Sequence, residues 1–136
     1  MTFHKRKYSH FLKKGGLDDL EEFYGLPAIC QKLFKEFKGV SQLYDWQKEV
    51  LGLEELQNGK NLIYSLPTSG GKTLIAEIIM LRTVLVLKKK ALFILPYVSL
   101  VEEKKESMEL FGDNLNFQVE AYYANQVENI ILHLPN

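Results

Sequence analysis

The chain has 136 residues, of which 46% are hydrophobic and 25% charged, and this composition excludes a disordered tail, a collagen-like rod and a low-complexity scaffold. Its 17 Lys and Arg residues balance its 17 Asp and Glu residues, so net charge provides no general attraction to nucleic acid or membrane, and any polyanion site must be local. No apolar run reaches the roughly 20 residues of a membrane span, and the single cysteine, Cys30, favours an intracellular, reducing compartment.

The first 58 residues are predicted to be a basic arm followed by a helical segment. Residues 1–16 are polar and basic, which indicates a flexible arm, either a solvated tail or a nuclear-localisation signal. Residues 17–58 carry apolar side chains at helical spacing, with Pro27 suited to open a helix, Gly39 to end it and Asp45 to cap the next one. The predicted helices are 17–24, 27–38 and 44 or 45–57.

The apolar pattern changes in residues 59–124, where short apolar runs alternate with helical periodicity. The predicted strands are 61–66, 91–95 and 117–123, and the predicted helices are 72–87 and 99–111. Helices between successive short strands are typical of βαβ units, so we predict an α/β fold with a short parallel sheet flanked by helices. Residues 125–136 receive no assignment.

A glycine loop lies between the first predicted strand and the helix that follows it. The general nucleotide-binding pattern is G-x-x-x-x-G-K-[ST], and Leu66 replaces its first glycine here. Gly70 and Gly71 let the backbone wrap around phosphate oxygens, Lys72 can reach the outer phosphates, and the Thr73 hydroxyl can bind Mg²⁺. The alternative is a Gly-Gly linker before a lysine, which the strand and helix on either side disfavour. We predict an ATP or GTP site formed by Pro67, Thr68, Ser69, Gly70, Gly71, Lys72 and Thr73.

Several blocks of the sequence resemble a known family. Residues 67–73 resemble motif I of superfamily-two helicases, which has the form P-T-x-x-G-K-T. The blocks Phe23-Tyr24-Gly25-Leu26-Pro27, Leu43-Tyr44-Asp45-Trp46-Gln47, Asn61-Leu62-Ile63-Tyr64-Ser65-Leu66-Pro67 and Leu95-Pro96-Tyr97-Val98 resemble the POLQ-like helicase family, relatives of the helicase part of DNA polymerase theta. The resemblance covers about residues 21–124. It implies an incomplete RecA-like P-loop NTPase domain, preceded by a helical segment, from a helicase that moves 3′ to 5′ on DNA.

The resemblance also implies roles for residues outside the loop. Gln47 matches the glutamine of the Q motif, whose amide pairs with adenine and favours ATP, although from the residues alone it is an exposed helix residue. Pro96, Tyr97 and Ser99 match motif Ia, which touches the DNA backbone. A plain strand-to-helix turn capped by Ser99 explains the same residues, and both interpretations stay open. The implied setting is DNA repair in the nucleus, with single-stranded or branched DNA, ATP, Mg²⁺ and DNA-repair proteins as partners.

Two parts of a working helicase are not found in the sequence. After the third predicted strand the only acidic residue is Glu128, so there is no Asp-Glu pair to hold Mg²⁺ and activate water, and there is no second RecA-like domain with an arginine finger. We expect a chain truncated before motif II and inactive alone. The alternative is a non-enzymatic regulatory or dominant-negative short form that binds DNA, ATP or partners of the full helicase. A small kinase or GTPase is disfavoured because the sequence has no Asn-Lys-x-Asp motif.

Overall fold

The computed structural model describes residues 23–65, 71–124 and 127–135, so the predicted arm at 1–16 lies outside it. The chain divides into two compact units, Met1–Ile79 and Met80–Asn136. A 3₁₀ turn at Phe23–Gly25 precedes the helices α1 (Ile29–Lys38), α2 (Asp45–Leu51), α3 (Glu54–Gln57), α4 (Lys72–Leu85) and α5 (Val98–Leu115), and the strands are β1 (Ala91–Leu95), β2 (Gln118–Ala124) and β3 (Val127–His133).

Helix α1 forms much as its sequence predicts. Cys30, Leu33 and Phe34 recur at helical spacing and are all buried. The Phe34 ring lies 5.3 Å from that of Phe23, so the turn before the helix joins the same apolar cluster. Gly39 ends the helix in the left-handed conformation, with φ of 66°, as predicted for a glycine after the last helical residue.

The helix predicted up to Gln57 is shorter than expected. Helix α2 ends at Leu51 because Gly52 turns the chain, and the four-residue α3 follows separately. The predicted cap, Asp45, is instead the first helical residue, and Tyr44 occupies the capping position. The backbone N–H of Tyr44 donates to Gln47 Oε1 at 2.8 Å, so a side chain inside the helix caps its own N-terminus.

The strand predicted at 61–66 is wrong over the residues that the structure describes. Residues 61–65 have no regular secondary structure, and the Ile63 side chain is 96% exposed. A strand is stabilised by backbone pairing with a neighbour, and no described strand pairs with residues 61–65. The helix predicted after the loop is confirmed as α4, in which Ile75, Ile78, Leu81 and Val84 form a buried stripe.

The second unit holds a three-stranded sheet in the order β1-β3-β2. Strands β1 and β2 run in the same direction, with α5 as the connection between them, which is the predicted strand-helix-strand order. However, β3 lies between them and is antiparallel to both, so the predicted parallel pairing is wrong. The physical reason is that β2 ends at Ala124 and β3 begins at Val127, and so short a connection permits only an antiparallel pair.

Helix α5 packs against the sheet with a buried apolar face. Val101, Met108 and Phe111 of the helix are fully buried, as are Ile130 and Leu132 of β3. The α/β class is therefore confirmed, with a helical segment before a sheet that carries a crossover helix. The central strand, β3, lies within residues 125–136, for which no element was predicted.

Candidate nucleotide site

The N-terminus of α4 is the centre of the predicted nucleotide site. The helix begins at Lys72, directly after Gly71, and Thr73 lies in its first turn. The first N–H groups of a helix have no partner inside it, and its dipole is positive at that end, so this terminus attracts anions. The remaining loop residues of the prediction, Pro67, Thr68, Ser69 and Gly70, lie outside the described residues.

Gly71 occupies a position that only glycine fits. Its φ of 89° lies in the left-handed region, where an L side chain is strained. A Cβ built at this position would collide with the Nε2 atom of Gln47. The close approach of another residue's amide to this backbone therefore depends on the missing side chain.

Gln47 is the residue that makes this close approach. Its Nε2 donates to the Gly71 carbonyl oxygen at 3.0 Å, while its Oε1 accepts from the Tyr44 N–H. The side chain is 1% exposed, so it is not the exposed helix residue that residue type alone suggests. The structure thus brings two of the predicted site residues, Gln47 and Gly71, into direct contact. The contact of Gln47 with adenine stays a prediction.

Tyr64 is a site residue that the sequence analysis missed. Its hydroxyl donates to the carbonyl oxygen of Lys72 at 2.6 Å, which joins the segment before the loop to the helix after it. Burial raises the pKa of the Tyr64 hydroxyl above its ordinary value, at which it is already protonated and able to donate at neutral pH. The available signal was an aromatic hydroxyl between the apolar residues Ile63 and Leu66.

An ion pair buried beside α4 was also missed. Lys38 Nζ, at the end of α1, lies 3.0 Å from Glu77 Oε1, and the Glu77 side chain is only 3% exposed. An acidic residue that far from solvent requires a partner because an isolated buried charge is costly. The pair therefore fixes the helix that follows the loop to the end of α1.

The predicted nucleic-acid contacts lie in the second unit, at the start of α5. Pro96, Tyr97 and Ser99 are all exposed, and the Tyr97 side chain is 66% exposed. Tyr97, in extended conformation, occupies the capping position, and the structure describes no capping hydrogen bond from its side chain. Ser99 lies within the first turn of the helix, so the interpretation of Ser99 as its cap is wrong.

Two lysines farther along α5 have partners of their own. Lys104 Nζ lies 5.9 Å from the centre of the Phe93 ring, within range of a cation–π interaction. Lys105 pairs with Glu109 one turn on, at 3.3 Å.

Among the described residues no group of three or more His, Cys, Asp or Glu is placed to hold a metal ion. In the same ranges no helix is both long enough and apolar enough to cross a bilayer.

Comparisons with known proteins agree with the motifs. The DEAD/DEAH box helicase family matches residues 44–133, which is more than half of the chain. Helicase POLQ-like of Drosophila melanogaster is 54% identical over 105 residues, which cover 77% of this chain and 10% of that protein. Helicase POLQ-like of Homo sapiens is 52% identical over 109 residues, which cover 80% of this chain and 10% of that protein.

A third relative is less similar. ATP-dependent DNA helicase Hel308 of Thermococcus kodakarensis is 40% identical over 74 residues, which cover 54% of this chain and 6% of that protein. The chain spans about a tenth of the length of the two POLQ-like relatives.

Proposed function

The chain belongs to the DEAD/DEAH box helicase family, and from this membership we propose that it carries the ATP-binding and nucleic-acid-binding portion of an ATP-dependent 3′–5′ DNA helicase. The observation that carries the proposal is the hydrogen bond from the buried Gln47 to Gly71. A Gly-Gly linker that preceded a lysine only by chance would not require this hydrogen bond. Here a buried amide holds the backbone of the loop at a position where a side chain would prevent it.

The residues at the start of α4 suit the phosphates of ATP. The helix N-terminus provides the positive end of its dipole, and Lys72, its first residue, provides a positive charge for the outer phosphates. Thr73 would hold the Mg²⁺ that accompanies ATP, and that ion would neutralise phosphate charge.

Gln47 retains the groups needed to read adenine. A side-chain amide has two N–H donors and an oxygen with two lone pairs. The bonds to Gly71 and Tyr44 use one donor and one lone pair. The other donor and lone pair match the acceptor and donor on the N7 and N6 edge of adenine. We therefore propose that Gln47 selects ATP over GTP while it holds the loop.

The segment at the start of α5 is the proposed contact with the DNA backbone. Pro96, Tyr97 and Ser99 are exposed, and the first N–H groups of α5 point out of a helix of 18 residues. Backbone N–H groups and hydroxyls are common partners of phosphate oxygens. The exposed Ser99 hydroxyl, which is free of the capping role, suits this contact. We propose single-stranded or branched DNA as the ligand, in a nuclear helicase that acts with DNA-repair proteins.

The chemistry of hydrolysis needs groups that residues 1–136 do not contain. Residues 125–136 contain one acidic residue, Glu128, and no Asp-Glu pair. An arginine finger alone provides roughly 10³ to 10⁵ in rate, so we propose that residues 1–136 by themselves turn ATP over very slowly. The second candidate function is a non-enzymatic form that binds DNA, ATP or partners of the full helicase and competes with it.

The first experiment measures ATP binding by the purified chain with a fluorescent ATP analogue. We expect saturable binding that ATP displaces better than GTP. Lys72→Ala should remove it, whereas Lys60→Ala, a matched change at an exposed lysine of the same unit, should leave it unchanged. Equal binding by the wild-type and Lys72→Ala chains would contradict the proposed site.

A second experiment separates the two candidate functions. Stimulation of ATP hydrolysis by single-stranded DNA in the purified chain would contradict the proposed inactivity. Overproduction of the chain in cells should impair the full helicase if the chain is a competing regulator, and should have no effect if it is only a portion of the enzyme.

A further inference from the structure

Tyr64 makes a hydrogen bond that secondary structure does not require. Its hydroxyl donates to the carbonyl oxygen of Lys72, the first residue of α4. A carbonyl in the first turn of a helix already accepts from the N–H four residues later, and its oxygen has a second lone pair. The Lys72 carbonyl therefore does not need the bond from Tyr64 to have a partner, and the bond satisfies the partly buried Tyr64 hydroxyl while it ties two segments together.

The position of this bond gives it a consequence for the loop. Tyr64 and Lys72 are eight residues apart in the chain, and the loop predicted to hold phosphate lies between them. The neighbouring carbonyl, that of Gly71, accepts from Gln47, which belongs to a different helix. Two consecutive peptide groups are thus held from two directions, which restricts both the translation and the rotation of the backbone that carries Lys72.

We propose that Tyr64 is a positioning residue for the nucleotide site, acting through the backbone of Lys72 to hold Lys72 and the start of α4 in place for phosphate binding. The proposal rests on the proposed function, since it concerns the same ATP site. Tyr64 acts on the phosphate half of the nucleotide, because its bond is to the residue whose side chain is proposed to meet the phosphates. Preorganisation of this kind strengthens binding by reducing the ordering that the ligand must impose.

The test compares the wild-type chain with Tyr64→Phe, which removes the hydroxyl and keeps the ring. The matched control is Tyr122→Phe, which also removes a tyrosine hydrogen bond, that to Glu120 Oε2 at 2.8 Å, but in the other unit. A fluorescent ATP analogue is displaced by ATP, by inorganic tripolyphosphate and by adenosine, at a temperature where every variant is fully folded by circular dichroism.

We expect Tyr64→Phe to weaken binding of ATP and of tripolyphosphate about fivefold, the factor produced by loss of one hydrogen bond of ordinary strength. Adenosine should bind as it does to the wild type, and Tyr122→Phe should behave as wild type with all three competitors. A uniform weakening that includes adenosine would show a general structural role and overturn the proposal. Unchanged binding of ATP by Tyr64→Phe would overturn it while leaving the proposed function intact.

Failure of the wild-type chain to bind ATP would instead reject the proposed function, and the role of Tyr64 with it.

A second measurement is independent of nucleotide. Amide hydrogen exchange in the second turn of α4, whose N–H groups donate to the carbonyl oxygens of the first turn, should be several-fold faster in Tyr64→Phe than in wild type, because the first turn loses its bond to the preceding segment. Equal exchange in the two proteins would show that the bond does not hold the helix start.

Discussion

Replacement of Gly71 by alanine tests the geometry on which the nucleotide site depends. The substitution has two effects in this structure. It places a side chain at a φ of 89°, and it drives a Cβ into the Nε2 atom of Gln47. Because Gln47 is 1% exposed, the displaced amide has no water to bond with. The same change at Gly59, where φ is 72° and no atom lies within 4 Å of the new Cβ, has only the first effect.

The two effects have separate magnitudes. A left-handed conformation costs an L residue about 1–2 kcal/mol. Loss of the hydrogen bond to Gly71, with the amide of Gln47 left buried and unpaired, costs about 1–3 kcal/mol more. We therefore expect Gly71→Ala to lower the free energy of unfolding by about 2–5 kcal/mol and Gly59→Ala by about 1–2 kcal/mol. The smaller entropy of the unfolded alanine chain affects both variants alike.

Urea denaturation of the three proteins, followed by far-ultraviolet circular dichroism, measures the difference directly. Equal destabilisation by Gly71→Ala and Gly59→Ala would refute the reasoning, since it would mean that Gln47 does not press against the Gly71 backbone. A double variant adds a stringent check. When Gln47 is alanine, the extra cost of Gly71→Ala over Gly59→Ala should disappear, because the obstructing amide is gone.

Three further predictions concern other contacts. Glu77→Gln should lower the free energy of unfolding by about 1–3 kcal/mol in urea denaturation, because it breaks the buried ion pair with the partly exposed Lys38. Gly112→Ala should destabilise by about 1–3 kcal/mol in the same assay, because the new Cβ would lie 2.6 Å from the carbonyl oxygen of Phe117. Without such a contact, glycine to alanine inside a helix ordinarily stabilises. Burial raises the pKa of the Cys30 thiol from 9.0 to about 12. The stabilisation that comes from keeping this thiol neutral is therefore complete below pH 9 and falls as pH rises toward 12. Comparison of the wild-type and Cys30→Ala chains over that pH range isolates this contribution.

Each of these predictions has a control and an outcome that contradicts it. Glu109→Gln breaks a solvent-exposed pair with Lys105 and should change stability by less than about 0.5 kcal/mol, so an equal effect of Glu77→Gln would reject the buried pair. A stabilised Gly112→Ala chain would contradict the prediction, because it would show that the backbone near Phe117 moves away from the new Cβ without loss of stability. Identical pH dependence of the wild-type and Cys30→Ala chains above pH 9 would show that the thiol ionises as easily folded as unfolded.

Local signals in the sequence were sufficient for most helices. The stop of α1 at Gly39 and the start of α4 at Lys72 are both confirmed, because each depends on residues within one turn of the boundary. The resemblance to the POLQ-like helicase family is also confirmed. Asp45 shows the limit of local rules, since a favourable capping residue was displaced by one position when the Gln47 side chain capped the helix instead.

Sheet pairing could not be predicted because it depends on residues far apart in the chain. Nothing near Ala91 indicates that its partner is Leu132, and the short run at 127–133 carried no turn signal that we recognised. The site shows the same limit. The glycine loop was evident from its pattern, but the contact of Gln47 with Gly71 and that of Tyr64 with Lys72 exist only after the chain has folded. The roles proposed for these residues in binding ATP stay predictions.

The central position of β3 has a consequence for the order in which the sheet assembles. Strands β2 and β3 are neighbours in sequence, so this hairpin closes a short loop and can form within microseconds. The pairing of β1 with β3 closes a much longer loop, and the entropy of that closure makes it the slower step. During synthesis β1 and β2 emerge before β3, and neither strand has its hydrogen-bonding partner until β3 follows. We therefore expect a nascent chain that ends before Val127 to expose two unpaired strand edges, the form of the protein most prone to aggregate.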